Sequence, residues 1–148
     1  MLMNLLIGLP VTLLCLLLQA VMVALSLRRY VEFRRNLHDP SPSSTILILG
    51  LVMLLMLFGN FLQMAIWAQL FVMLGEFESF SRALYFSGVT FSTLGYGDVV
   101  LSKPRQLLSA LEAANGILMF GVSTAVLTAA LHDVIKHYTE KSRDPEQA

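Results

Sequence analysis

The chain alternates long apolar runs with short polar ones. Met1 to Leu27 carries no charged side chain, and neither does Ile46 to Leu74. Leu107 to Leu131 carries one, Glu112. Each run is long enough to cross a hydrocarbon core of about 30 Å as a helix. The pattern therefore predicts an all-α membrane protein with three transmembrane helices. Pro10 interrupts the first run and predicts a kink. A cleaved signal peptide would want a basic start and a small-residue cleavage site. The start, Met1-Leu2-Met3-Asn4, has no basic residue, and Arg28-Arg29 follow the run. A retained helix is expected. The second run is longer than a perpendicular crossing needs, so tilt or overhang is expected.

The polar connections are short. Arg28 to Ser44 holds Arg28, Arg29, Arg34 and Arg35, then Asp39-Pro40-Ser41-Pro42-Ser43-Ser44. Arginines beside a span mark the cytoplasmic side; contact with anionic head groups is the alternative. The Pro/Ser stretch reads as a helix stop and a new start, with Ser43 or Ser44 as N-cap. Gly75 to Phe80 is a turn carrying Glu76 and Glu78. These acids either concentrate cations or are ordinary loop charges. Ser81 is the expected cap of the short helix that follows, which is too short to span. Val99 to Gln106 makes the next connection, and Lys103-Pro104 suits a first helical turn. His132 to Ala148 reads as a polar tail. His132 and His137 are read there as solvated residues, ahead of a pH-sensing role.

Polar residues inside the runs are few. Asn60, Gln63 and Gln69 lie in the second, with Asn60 and Gln63 three apart on one face. They are expected to face other helices rather than an ion. Trp67 and Phe71 fall where aromatic rings gather at the outer interface. Glu112 is a functional candidate by default, unless it sits near the outer end. Asn115, three residues on, shares its face. Cys15 is the single cysteine, which excludes an intrachain disulfide and reads as a small buried hydrophobe.

Composition agrees. The 148 residues are 56% hydrophobic and 14% charged. A soluble domain has about 25% charged residues. The net charge of zero gives no reason to expect nucleic acid. No catalytic or metal-binding constellation stands out, so no enzyme activity and no cofactor are expected.

Thr93-Leu94-Gly95-Tyr96-Gly97-Asp98 lies between the second and third runs, after an aromatic segment. Ala83 to Asp98 resembles the pore helix and selectivity filter of the potassium-channel family. The resemblance implies a re-entrant pore helix and a filter loop in a homotetramer. It implies that the carbonyls of Thr93, Leu94, Gly95 and Tyr96 bind K⁺ in rings, with the Thr93 hydroxyl adding the innermost oxygen. Alternate residues must then take unusual backbone angles, which Gly95 and Gly97 accept at no steric cost. Tyr96 would brace the filter, and Asp98 would sit at the outer mouth. The chain departs from the family at three places. Leu94 stands where Val is common, Val89 where bacterial relatives have an acid, and Tyr85 where a tryptophan often bonds the outer Asp. Tyr85 retains a phenol that can donate to Asp98. Asn115 to Gly121 resembles the family's inner helix. Gly116 is the implied hinge, with close helix packing of Gly116 and Gly121 as the alternative. Thr124 and Ala125 match residues lining the intracellular end of the pore.

The reading divides the chain into 1–44 (first helix and cytoplasmic connection), 45–135 (pore domain) and 136–148 (tail). The first connection and the tail hold seven of the ten Lys and Arg residues, whereas Arg82, Lys103 and Arg105 lie elsewhere. This predicts a multi-pass inner-membrane protein with its N-terminus outside and C-terminus inside. The expected function is passive K⁺ conduction. A non-selective cation channel and a non-conducting accessory subunit are the rivals. No run has arginine at every third residue, so the usual voltage sensor is not expected.

Overall fold

The computed structural model describes residues 1–36 and 42–143, with side chains for all of these except Arg34, Asn36, Pro42, His137, Tyr138 and 140–143. Helices α1 (Leu2–Asn36), α2 (Pro42–Met73), α3 (Phe80–Phe91) and α4 (Gln106–Arg143) carry the described chain. A 3-10 turn, Lys103–Arg105, leads into α4, and no strand occurs among the described residues. Three helices are long and apolar enough to cross a membrane, over Leu2–Phe33, Ser43–Met73 and Lys103–Lys136. At most 33% of any of their most apolar windows is buried within the chain. The remainder needs a cover of lipid or protein.

Hydrogen bonds set the helix directions. Near the start of α1, Asn4 donates to the Pro104 carbonyl at 2.7 Å. Near its end, Tyr30 donates to Asp133 Oδ2 at 2.7 Å. α1 and α4 therefore run parallel. α2 runs against both: Gln63 bonds Gln19, while Ile48 and Val52 pack with Tyr30. The inward stripe of α1 is polar or small at most positions. Asn4, Gly8, Cys15, Gln19, Met22, Ser26 and Tyr30 are buried, while Leu6, Leu9, Leu13 and Leu17 face outward. This is the membrane version of amphipathicity, in which small and polar residues make the helix contacts.

The main core surrounds α3. Trp67, Phe71, Phe77 and Phe86 stack at centroid distances of 5.3 to 6.4 Å. Trp67 and Phe71 are fully buried. The expected interfacial belt is thus replaced by a core contact, because α3 covers that end of α2.

Other boundaries also differ from the sequence reading. α1 contains Pro10, as expected, but continues through the arginines to Asn36. Arginine and glutamate are good helix formers, and Arg29 pairs with Glu32 at 3.5 Å one turn on. α2 starts at Pro42, so Ser43 and Ser44 are helical residues rather than caps. Ser79, not Ser81, caps α3: its backbone is extended and its hydroxyl accepts the Arg82 N–H. α4 continues past Leu131 to Arg143, because neither glycine nor proline occurs between Gly121 and Pro145. His132 is therefore an exposed residue of the helix. The Asp39-Pro40-Ser41 stop, residues 144–148 and the side chains of Arg34, His137, Lys141 and Arg143 lie outside the described residues.

Candidate functional site

A helix end leaves its last carbonyls without helical partners. In α3 the loop that follows takes them. The Gly88 carbonyl accepts Ser92 N–H at 3.1 Å and Ser92 Oγ–H at 2.6 Å. The Thr90 carbonyl accepts Thr93 N–H at 3.0 Å. The Val89 carbonyl accepts the N–H groups of Leu94 at 2.9 Å and Gly95 at 3.4 Å. The base of the loop thus hangs on one turn of α3. The negative end of the α3 dipole points into this loop, where it favours a cation.

Within the loop the sign of φ alternates. Thr93, Gly95 and Gly97 have φ of 61°, 59° and 76°, while Leu94 and Tyr96 between them lie outside the positive region. Glycine takes such angles freely. Threonine does not: a β-branched residue there is an outlier, at a cost on the order of 1–3 kcal/mol. Sequence reasoning anticipated the two glycines and missed Thr93. The available signal was its place two residues before Gly95, in step with the glycine spacing.

Thr93 to Asp98 are all exposed within the chain, with Leu94 at 59% and Tyr96 at 68%. Under the loop lies an open cleft of about 480 Å³, lined by Val89, Thr90, Thr93, Gly95 and Ala113 among others. The Val89 side chain is half-buried there. Tyr85 donates to Asp98 Oδ2 at 2.8 Å, tying α3 to the far end of the loop. This bond pushes the exposed phenol above its ordinary value. Glu76 holds the connection into α4. It accepts from Ser102 N–H at 2.8 Å and Ser102 Oγ–H at 2.7 Å, and pairs with Arg105 at 3.4 Å. Glu78 is exposed.

Behind the loop, α4 touches α3 at two levels. Glu112 is fully buried, and its Oε1 is hydrogen-bonded to Ser87. One turn along both helices, Gly116 abuts the Phe91 carbonyl. Asn115 is also buried, on the face it shares with Glu112. The buried position of Glu112 replaces the alternative of an exposed outer end. Farther along, Gln63 donates to Gln19 at 2.8 Å, and Gln19 donates to Ser123 at 3.2 Å. Asn60 donates to the same Ser123 hydroxyl at 3.4 Å. Asn60 and Gln63 thus serve helix contacts. Gly121, Thr124 and Ala125 lie apart from this cluster on an exposed face of α4, and Gly121 has open space around it.

Comparison with curated proteins and with solved structures returns no match. The family model described as ion channel matches residues 45–133, more than half of the chain. That range begins in the first turns of α2 and ends in α4, so it takes in α3 and the whole loop. The chain belongs to the ion channel family.

Proposed function

We propose that this chain is the pore-forming subunit of a potassium-selective channel, in which four copies bring their Thr93-Leu94-Gly95-Tyr96-Gly97 loops to one axis. The observation that carries this reading is the alternation of φ at Thr93, Gly95 and Gly97. Alternating left- and right-handed residues turn successive carbonyls to one side. A row of such oxygens from each copy replaces the water around K⁺. The exposed Leu94 and Tyr96 side chains support the assembly, since their own chain does not cover them. The short α3 then serves as a re-entrant pore helix. Gly121, Thr124 and Ala125 line the intracellular end of the path on the exposed face of α4.

Orientation follows from the basic residues. Arg28, Arg29, Arg35 and Lys136 lie at the end marked by the Tyr30–Asp133 bond. Lys103 and Arg105 lie at the end marked by the Asn4–Pro104 bond. The first end is therefore cytoplasmic, and the filter opens outward.

The test is the mass of the purified oligomer and its thermal dissociation in KCl and in NaCl. A tetramer that K⁺ protects and Na⁺ does not is the expected result. Equal protection by both ions would favour a non-selective cation channel. A monomer indifferent to either would favour an accessory subunit.

A further inference from the structure

Ser87 has one hydroxyl hydrogen and two neighbours that accept. Its Oγ lies 2.8 Å from the Met64 carbonyl oxygen on α2. The same Oγ is hydrogen-bonded to Glu112 Oε1 on α4. A carbonyl oxygen and an ionised carboxylate are acceptors and nothing else. If Ser87 donates to Met64, Glu112 must bring its own hydrogen. If Ser87 donates to Glu112, two oxygens face each other at Met64 with no hydrogen between them. Both contacts are satisfied together only when Glu112 carries the second hydrogen.

The surroundings agree. Ser87 and Glu112 are both 0% exposed. Among the described residues, the ion pairs found include no basic partner for Glu112. The thiol of Cys15 from α1 interacts with it, and Ser87 from α3, its hydrogen-bond partner, carries no charge. A carboxylate here would be a buried charge without a counter-charge.

We propose that Glu112 is a protonated carboxylic acid that donates to Ser87 Oγ while Ser87 donates to Met64, and that this relay positions the filter. The carbonyls of Gly88, Val89 and Thr90, next along α3, hold the amides of Ser92 to Gly95. A shift of α4 at Glu112 therefore reaches Thr93 through one turn of helix. Glu112 is fully buried and acts through Ser87, so it is a positioning residue. This role rests on reading Thr93 to Tyr96 as a filter; the proton assignment does not.

Two measurements on the full chain in liposomes test it. The first is the infrared difference spectrum between wild type and Glu112→Gln at neutral pH. A carboxylic C=O band present in wild type and lost in Glu112→Gln is the expected result. A carboxylate band in its place would overturn the proposal. The second is the K⁺/Na⁺ flux ratio. Glu112→Gln keeps a donor at the same place and should retain the wild-type ratio. Glu112→Ala and Ser87→Ala should each lower it by about tenfold, the scale of one lost buried hydrogen bond. An unchanged ratio in folded Ser87→Ala would overturn the positioning role, and that variant decides the matter even where Glu112→Ala fails to fold. Wild-type liposomes that pass no K⁺ would overturn the filter reading and the positioning role with it, while the infrared band still decides the proton.

Discussion

A β-carbon placed on Gly116 would stand 1.9 Å from the carbonyl oxygen of Phe91. The obstacle is backbone at the end of α3, so it has no rotamer into which to retreat. Gly116→Ala must push α3 and α4 apart. The expected loss is about 1–3 kcal/mol, the usual cost of overpacking. Gly121→Ala meets open space and should change stability by less than about 1 kcal/mol. Equilibrium unfolding of the two variants in detergent makes the comparison. Equal losses would show that close approach is not what Gly116 provides.

Removal of the Gln19 amide should unfasten all three long helices at once. Gln19 accepts from Gln63 on α2 and donates to Ser123 on α4. Gln19→Leu should cost about 1 kcal/mol, as interhelical hydrogen bonds in membranes do. Ser123→Ala added to it should cost less than it does alone, because the two share one network. Strict additivity would contradict the network.

Much of this architecture was legible in the sequence, and the parts that were not share a physical cause. Runs with no charged residue, or with one, mark spans because bilayers exclude charge, so α1, α2 and the apolar part of α4 could be read directly. Gly95 and Gly97 announced their own backbone angles. Thr93 did not, because its φ is imposed by bonding to Thr90 and not by its residue type. Trp67 and Phe71 were misplaced because an aromatic ring suits an interface and a core equally, and only α3 decides between them. Gly116 shows the same limit. Its resemblance to a hinge position is visible in sequence, while the Phe91 carbonyl pressed against it is a tertiary fact.

Tyr85→Phe deletes the hydroxyl that donates to Asp98 at 2.8 Å. The loop end then loses its tie to α3, and current decay during sustained opening should change. The difference between wild type and variant should be full at neutral pH. The phenol is raised above its ordinary value of about 10. The bond therefore persists below that value and is lost as the pH rises through the raised one. Macroscopic currents recorded at neutral and strongly alkaline pH check this. Identical decay at neutral pH would remove Tyr85 from any role in holding the proposed filter.

Glu76 and Glu78 should behave differently. Glu76 is engaged by Ser102 and Arg105, so Glu76→Ala should lower stability by about 1 kcal/mol. Glu78 is exposed, and Glu78→Gln should leave stability unchanged. Thermal melts of the two variants separate them, and a larger loss for Glu78→Gln would contradict the assignment.

The central claim is that Thr93 to Tyr96 form a K⁺-selective path. Ion flux through the purified protein in liposomes, under matched K⁺ and Na⁺ gradients, tests it most directly. Gly95→Ala is the control, since alanine is strained at a φ of 59°. The account predicts K⁺ flux well above Na⁺ flux in wild type and neither in the variant. Equal K⁺ and Na⁺ flux, or K⁺ flux that survives Gly95→Ala unchanged, would contradict it.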